Sequence, residues 1–306
     1  MAYTAEAITL EGISAGSEEA TWGTKALPPP LERAETQVSS GPRLYDVGAC
    51  SDIGSERDNN EDSIGLSYEG DSVLAVVADG VGGCEGGELA SKMAVETLVA
   101  CYREQPTEIA ADKRLYRAAQ QANIEIYDRA IVVPELCNMS TTLTAIAIEA
   151  NMLHAAHVGD SRLYLVREGK ISQLSKDHTL AAEQVENKRL SPEKARHHPD
   201  HGTLTRSVGR ELIVAIDRIA LPVQTGDALV LCTDGLHNIL DESEIVELVR
   251  EGTAESAAKR LIDRANEKGT NDNLTAAVCR VVGELPAQAV AQSWPKRLRH
   301  WLWSRA

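Results

Sequence analysis

Four aspartates stand where short apolar runs of this sequence begin or end. Asp79 follows VLAVVA, Asp160 follows AAHVG, Asp234 follows ALVLCT, and Asp272 precedes LTAAV together with Asn273. One aspartate in such a place is an ordinary turn residue, but carboxylates at the ends of neighbouring buried strands would converge. Like charges at short range in a low dielectric cost several kcal/mol unless cations neutralise them. Because the donors are all oxygens, Mg²⁺ or Mn²⁺ is favoured over zinc.

The residues from Asp79 onward are almost without side chains and read DGVGGCEGGE. Gly80, Gly82 and Gly83 allow close approach of the backbone to a bound group, and positive φ, where a Cβ would obstruct. No Lys-Ser or Lys-Thr pair follows at the spacing of a Walker phosphate loop, and a dinucleotide site would need a parallel βαβ unit. Cys84, within this turn, is either a small buried thiol or a redox-sensitive one.

Around these residues the chain reads as short strands and longer helices. Strands are predicted from β-branched runs bounded by Gly, Asp and Asn, such as SVLAVVAD and DALVLCTD, and the turn Glu149–Asn151 is short enough for a hairpin. Apolar residues at three-and-four spacing predict helices at Glu88–Glu104, Thr107–Ala130, Asp241–Arg250 and Thr253–Lys268. Strands that cluster and helices that come in pairs favour an α+β sandwich of antiparallel sheets over an alternating parallel fold.

Composition argues against several classes of protein. The 306 residues carry a formal net charge of −15, which argues against nucleic-acid binding because such binding requires Lys and Arg to neutralise phosphates. Six cysteines without a CxxC pair indicate neither a zinc ribbon nor a disulfide framework, so a cytoplasmic, reducing compartment is expected. No run approaches the ~18 apolar residues of a membrane span, and the first residues lack the pattern of a cleaved signal peptide.

Seven segments, in order, resemble the successive motifs of the metal-dependent Ser/Thr protein phosphatases, the protein phosphatase 2C or PPM family, in its bacterial form. They are GSERDNNEDS (54–63), ADGVGGCEGGELAS (78–91), STTLTAI (140–146), HVGDSRLYLVREGKI (157–171), LTRSVG (204–209), LCTDGLHNIL (231–240) and NDNLTAAV (271–278). The resemblance covers roughly Leu44–Val282. It implies an α+β fold: a four-layer α-β-β-α sandwich of two mainly antiparallel sheets flanked by helix pairs.

The resemblance also implies a centre of two or three Mn²⁺ or Mg²⁺ ions. Asp79 matches the aspartate that bridges two metals in the family, and the backbone carbonyl of Gly80 matches a further ligand. Asp234 and Asp272 match ligands that hold one metal from the other side. Asp160 matches a residue that helps to hold a third metal in bacterial members.

Further residues complete the implied site. Glu61 and Asp62 match the acidic pair that reaches the metals directly or through water, and Asn273 is placed behind the ligands as a supporting residue. Arg57 matches the family's phosphate-binding arginine, and its planar guanidinium can position a phosphomonoester that the aspartates would repel. The catalytic set is therefore Arg57, Asp62 and Asp79, with a metal-activated water as the nucleophile.

The general acid and the roles of the histidines in the segment near 177–205 stay open. Val81 stands where many eukaryotic relatives have a histidine that is thought to protonate the leaving group, so the general acid is unassigned. The segment near 177–205 matches the mobile flap beside the cleft of bacterial members. Within it, His198 and His201 are candidates for substrate contact or proton transfer; a flap without direct chemistry and adventitious metal binding are the alternatives. His178 is expected to be structural.

The chain divides into three regions. Residues 1–42 are acidic and rich in Ala, Thr, Ser and Gly, and are predicted to form a disordered extension. Residues 43–284 form the predicted catalytic domain. Residues 285–306 form a basic tail with three of the four tryptophans, which either folds back on the acidic domain or makes weak contact with an anionic membrane or a partner.

These observations predict hydrolysis of phosphoserine and phosphothreonine in proteins, reversing bacterial Ser/Thr kinase signalling. The expected partners are phosphorylated proteins and a cognate kinase, without nucleic acid, and the expected state is a monomer. A phosphatase dedicated to one small regulator is the nearer alternative. A catalytically silent phosphoprotein-binding scaffold with the same fold is the more distant one, and the retained ligand aspartates count against it.

Overall fold

The computed structural model describes residues 44–82, 86–195 and 198–285. The strands in these ranges are β1 (Tyr45–Asp52), β2 (Asp62–Glu69), β3 (Ser72–Val81), β4 (Ser140–Thr141), β5 (Leu143–Glu149), β6 (Met152–Val158), β7 (Arg162–Arg167), β8 (Lys170–Gln173), β9 (Asp217–Pro222), β10 (Ala228–Cys232) and β11 (Leu274–Val281). The predicted extension at 1–42, Cys84, and residues 286–306 of the predicted tail lie outside the described residues.

The same ranges contain seven α-helices and one short 3₁₀ turn at Pro134–Leu136. The helices are α1 (Gly86–Glu104), α2 (Ala111–Val132), α3 (Leu180–Glu186), α4 (Pro192–Ala195), α5 (Asp234–His237), α6 (Glu242–Arg250) and α7 (Ala254–Lys268). The ends of α7 show how local sequence sets a boundary. Thr253 and Ser256 exchange side-chain to backbone hydrogen bonds at its start, and Gly269 ends it with φ of +82°.

Two antiparallel sheets lie face to face. The first has the strand order β1-β11-β10-β7-β8, and the second has the order β2-β3-β5-β6-β9, with β4 paired to the end of β3. The β5–β6 hairpin turns at Ala150 and Asn151, which have φ of 47° and 64°, the left-handed pair that a two-residue hairpin loop requires. The predicted hairpin at Glu149–Asn151 is confirmed.

Three hydrophobic layers hold the four layers of structure together. In β5, Ile146 packs between the sheets while Ala147 packs against α1 and α2. In β10, Leu229 packs between the sheets while Val230 packs against α6 and α7. Strands buried on both faces are apolar throughout rather than alternating, which is why these runs stand out in the sequence. The predicted α+β fold of antiparallel sheets with helix pairs outside is confirmed.

The structure corrects one helix start and adds two strands, β2 and β8, to those predicted. The second helix begins at Ala111 rather than Thr107, because residues 106–109 form a turn in which Ile109 N–H donates to Pro106 O at 3.1 Å. β2 was not assigned from the sequence, since most of its positions are only half-buried and its segment DSIGLSYE lacks a β-branched run. Within the described residues, no helix is long and apolar enough to cross a membrane.

Candidate active site

Asp62 and Asp79 face each other across two paired strands. β2 begins at Asp62, and its antiparallel register with β3 places Asp62 opposite Asp79. Directly opposed residues have Cβ atoms about 4.5–5.5 Å apart on the same face of a sheet. Both residues are only partly exposed. The unpredicted strand β2 is therefore the element that delivers the second carboxylate to Asp79.

Asp234 and Asp272 come from the first sheet. Asp234 begins α5 just after β10, and Asp272 lies just before β11, which pairs with β10 in antiparallel fashion. The two turns touch, because a Cβ on Gly235 would lie 2.1 Å from the backbone oxygen of Asn273. These two carboxylates therefore arise at one end of one strand pair, as the sequence predicted.

Threonine hydroxyls hold Asp62 and Asp79 at this end, and one of them joins the two sheets. Thr233 Oγ1 donates to Asp62 Oδ2 at 2.7 Å, which joins the start of α5 to β2. The Thr142 side chain accepts from Asp79 N–H at 2.9 Å, while Thr142 N–H donates to Asp79 O, also at 2.9 Å. The Thr141 hydroxyl donates to the same carbonyl at 2.8 Å. Both backbone groups of Asp79, the N–H and the carbonyl, are thus hydrogen-bonded to Thr141 or Thr142.

The glycines after Asp79 make room for close backbone contacts. A Cβ on Gly80 would lie 2.2 Å from Gly87 O and 2.7 Å from Glu61 O. Gly82 has φ of +139°, which L residues rarely adopt. Gly82 has the predicted positive φ and Gly80 does not, and the close contacts of Gly80 are with the backbone of Gly87 and Glu61. Gly83 lies outside the described residues.

Asn273 ties the start of β11 to the loop that carries the acidic pair. Its Oδ1 accepts from Glu61 N–H at 2.8 Å, and its Nδ2 donates to Ile53 O at 2.8 Å and to Asn59 O at 3.0 Å. Burial raises the pKa of Glu61, against the lowering effect of Arg57. Asn273 thus uses both ends of its amide to fix Glu61 beside Asp62.

Arg57 lies at the rim of the acidic cluster. Its Nη2 is 2.8 Å from Asp272 Oδ1, and its Nε donates to Asn271 O at 3.2 Å. The side chain is 50% exposed, so part of the guanidinium fork is open to solvent. Burial lowers the pKa of Arg57, but Asp272 outweighs this and the net shift is upward.

Asp160 lies in a buried turn between β6 and β7. Its carbonyl accepts from His237 Nε2 at 2.9 Å, and His237 ends the one-turn helix that begins at Asp234. Burial lowers the pKa of His237 to about 3, so this histidine is a neutral donor. His237 therefore links the segment of Asp160 to the segment of Asp234.

The aspartates of the site raise one another's pKa. Burial, opposed by hydroxyl hydrogen bonds, raises the pKa of Asp62 to about 7. Burial and then the charges of Asp62 and Asp234 raise the pKa of Asp79 well above its ordinary value. Burial followed by Asp272 raises the pKa of Asp234, and burial followed by Asp234 raises that of Asp160 well above normal. The carboxylates are therefore close enough to repel, and the protein supplies too little positive charge to offset this.

The donor set fits hard divalent cations. It consists of carboxylate and backbone oxygens, the ligands that Mg²⁺ and Mn²⁺ prefer. Across residues 44–82, 86–195 and 198–285, no three His, Cys, Asp or Glu side chains already form a closed ligand set. Asp79 and Asp234 nevertheless lie within hydrogen-bonding reach of each other, so the carboxylates are already gathered at one place.

The flap candidates occupy different surroundings. The His198 side chain is engaged locally, because its Nδ1 accepts from Asp200 N–H at 3.2 Å. His201 Nδ1 lies 2.9 Å from His198 O, and His201 is near enough to the cluster to exert a minor lowering effect on the pKa of Asp234. The structure therefore brings His201 toward the site. Among the described residues, the side-chain contacts of His198 are with Asp200 and not with a residue of the site.

Sequence reasoning missed the hydroxyl and imidazole groups that hold the ligands. Thr142, Thr233 and His237 all lie within quoted motifs, but each is an ordinary residue type beside a more conspicuous aspartate. The available signal was polar residues inside apolar runs, as in STTLTAI and LVLCTDG. A buried hydroxyl needs a partner, and here several partners are the backbone or carboxylate groups of the site.

Comparison with known proteins identifies relatives of this chain. The sequence model of protein phosphatase 2C matches residues 55–279. The chain is 36% identical over 230 residues to the serine/threonine phosphatase stp of Listeria monocytogenes, an alignment that covers 74% of this chain and 91% of that protein.

Solved structures of the same kind match the fold. The crystal structure of the Mycobacterium tuberculosis serine/threonine phosphatase PstP/Ppp superposes with a TM-score of 0.72 at 33% identity, covering 78% of this chain and 99% of that one. The catalytic domain of PstP in complex with two manganese ions gives a TM-score of 0.70 with the same identity and coverage.

Proposed function

The chain belongs to the protein phosphatase 2C family, and from this premise we propose how its residues carry out the reaction. Its activity is the metal-dependent hydrolysis of phosphoserine and phosphothreonine in proteins. The observation that carries the assignment of residues is the register of β2 and β3, which sets Asp62 against Asp79, together with the hydrogen bond from Thr233 that brings α5 to the same place.

The proposed cation ligands are Asp79, the carbonyl of Gly80, Asp234 and Asp272, with Glu61 and Asp62 contributing directly or through water and Asp160 holding a looser third ion. The complex of PstP with two manganese ions supports two Mn²⁺ or Mg²⁺ ions, and a third is part of this proposal. Divalent cations, when bound, supply an acidified water as nucleophile and stabilise charge on the phosphoryl group. The chain's own residues supply the negative cradle that selects and orients them.

Arg57 is proposed to bind the phosphate. Its guanidinium is half exposed and already positioned by Asn271 O. The fork can turn from Asp272 to two oxygens of a phosphomonoester, with the bidentate geometry that arginine favours. This gives the anionic substrate one fixed positive contact at the rim of a cluster that would otherwise repel it.

The proposed biological role is the reversal of bacterial Ser/Thr kinase signalling in the cytoplasm. Its support is the similarity to bacterial Ser/Thr phosphatases, and the free state of the five cysteines within the described residues fits a reducing compartment. A cognate kinase and a monomeric state belong to the same proposal. The scaffold alternative is not favoured, because the relatives are phosphatases and this chain keeps the acidic residues of their motifs.

The decisive experiment compares two charge-matched variants. Wild-type protein should release phosphate from para-nitrophenyl phosphate and from a phosphothreonine peptide in the presence of Mn²⁺, and chelation should abolish both. Asp79→Asn should lose about 10²- to 10³-fold in kcat, the size of effect seen when a single key electrostatic group is removed. Asp128→Asn, at an exposed position of α2, should match the wild type. Turnover that persists without metal, or in folded Asp79→Asn, would overturn the assignment.

A further inference from the structure

The flap, residues 177–205, is closed at its base by a short ladder. Leu180 N–H donates to Thr203 O at 2.9 Å, and Thr205 N–H donates to His178 O at 2.8 Å. An isolated antiparallel bridge joins Thr179 to Leu204. The two legs that enclose α3 and α4 are therefore joined where the chain enters and leaves the flap.

His178, in the first leg, also holds the turn that carries Asp160. It is 4% exposed. Its N–H donates to Gly159 O at 2.8 Å, and its Nδ1 accepts from Gly159 N–H at 3.0 Å. One residue thus satisfies both backbone groups of Gly159. That glycine has φ of +105°, and a Cβ there would lie 2.6 Å from Thr142, so the turn has little freedom to rearrange.

The same imidazole also lies close to charged residues near the exit of the flap. Because Nδ1 accepts, the neutral ring carries its proton on Nε2. Nε2 lies 3.3 Å from Asp217 Oδ2 without forming a hydrogen bond within the described residues, and Asp217 Oδ1 accepts from Arg206 Nη1 at 2.8 Å. Arg206 follows Thr205 at the flap exit. Burial and Arg206 lower the pKa of His178, which agrees with a neutral ring.

The Asp160 turn is in turn joined to the centre of the site. Ser161 Oγ lies 2.6 Å from Thr142 Oγ1, and that oxygen accepts from Asp79 N–H at 2.9 Å. A continuous set of contacts therefore runs from both legs of the flap, through His178, to the turn of Asp160 and on to the backbone of Asp79.

We propose that His178 is a positioning residue that joins the flap to the Asp160 turn, so that displacement of one requires displacement of the other. A substrate protein that orders the flap thereby also orders Asp160. The function given to Asp160 rests on the proposed function, whereas the mechanical link does not, because it involves neither cation nor substrate.

The test is amide hydrogen exchange of the metal-free, full-length protein, resolved at Gly159, Leu180 and Thr205. His178→Ala should raise exchange at all three amides by about tenfold, the change expected for one lost buried hydrogen bond, and leave the amides of β10 and β11 unchanged. His178→Asn should restore protection at Gly159, because the amide oxygen of Asn stands where Nδ1 stands. His154→Asn, a histidine of β6 outside this set of contacts, should match the wild type.

A second variant keeps the test decisive if His178→Ala does not fold. Asp217→Asn leaves the contact of His178 with Gly159 in place but weakens the tie to Arg206, so Thr205 should exchange faster while Gly159 stays protected. With Mn²⁺ present, calorimetric titration of His178→Ala or, failing that, His178→Asn should show weakening confined to the weakest cation site. Faster exchange at Gly159 with wild-type rates at Leu180 and Thr205 would overturn the proposal. Loss of phosphatase activity alone would bear on the proposed function and not on this link.

Discussion

Asp177 and the aspartates of the candidate site have opposite electrostatic surroundings. Asp177 is held by Arg162, whose Nε and Nη2 donate to its carboxylate at 2.6–3.1 Å. Although burial raises the pKa of Asp177, Arg162 outweighs it and the net shift is downward. At the candidate site, burial and neighbouring carboxylates raise the pKa of Asp79 well above normal, and Arg57, which pairs with Asp272, stands half exposed at the rim.

The contrast separates a structural ion pair from a cation site. Where the fold needs a buried carboxylate only for packing and order, it provides the arginine that neutralises it. Where the fold gathers several carboxylates and arginine offsets only part of their charge, the remaining compensation has to come from outside the chain.

Asp177→Ala should destabilise the protein by about 3–5 kcal/mol, because it removes the carboxylate that pairs with the largely buried guanidinium of Arg162 and leaves the Tyr164 hydroxyl as its remaining hydrogen-bond partner among the described residues. Urea denaturation at constant Mn²⁺ measures the loss. Asp128→Ala, which removes an exposed carboxylate from α2, should change the free energy of unfolding by no more than about 0.5 kcal/mol. If the two variants unfolded at the same urea concentration, the pair at Asp177 would have no structural role.

The metal-free protein should lose stability as pH rises from about 4 toward 7. Burial raises the folded-state pKa of Asp62 to about 7, above the unfolded value of 3.8, and the pKa values of Asp79, Asp160 and Asp234 shift in the same direction. Between the two values the folded state binds more protons than the unfolded state, so stability falls with pH. Thermal unfolding in chelator at several pH values measures this.

Saturating Mn²⁺ should cancel that pH dependence, because a bound cation neutralises the same carboxylates. A metal-free protein whose melting temperature rose steadily between pH 4 and pH 7 would mean that the carboxylates are already compensated within the chain.

Arg57→Ala should lower kcat/KM for a phosphothreonine peptide by about 10- to 100-fold, the range expected for a lost hydrogen bond to a charged group. The effect should appear mainly in KM if Arg57 binds phosphate in the ground state. Steady-state kinetics at saturating Mn²⁺ measure it, with Arg103→Ala, another partly exposed arginine, as the matched control. Equal loss in both variants would remove Arg57 from the site.

Asp62→Asn should raise the melting temperature of the metal-free protein by about 2–4 °C, the shift that roughly 1 kcal/mol produces in a domain of this size. The amide keeps an oxygen for the Thr233 hydroxyl and removes one like charge from the cluster. Calorimetry in chelator measures the change. An equally large rise in melting temperature at saturating Mn²⁺ would show that the Asp62 carboxylate does not bind the cations.

Most of the fold can be predicted from the sequence, because strands that are covered on both faces are apolar throughout. β3, β5 and β10 were recognisable for this reason, and the aspartates next to them marked the candidate site. β2 was not recognisable, since Gly65 and Ser67 interrupt a half-buried strand. Its pairing with β3 is a tertiary fact, and without it the position of Asp62 against Asp79 could be expected only from the family resemblance.

The hydrogen bonds that hold the ligand residues in place cannot be predicted from the sequence either, because they also depend on long-range tertiary contacts. Thr142, Thr233 and His178 acquire their roles from partners 19 to 171 positions away in the chain, as in the hydrogen bond between Thr233 and Asp62, and their residue types fit many other roles. A structural role is expected for His178 from the sequence, but the segments that it contacts are apparent only in the folded chain.

The most direct test of the cation site is anomalous diffraction at the manganese edge from crystals of the full chain grown with saturating Mn²⁺. The account predicts peaks within coordination distance of Asp79, Gly80 O, Asp234 and Asp272, and the loss of at least one peak in Asp79→Asn. Peaks elsewhere, or none in crystals whose dissolved protein remains an active phosphatase, would contradict it.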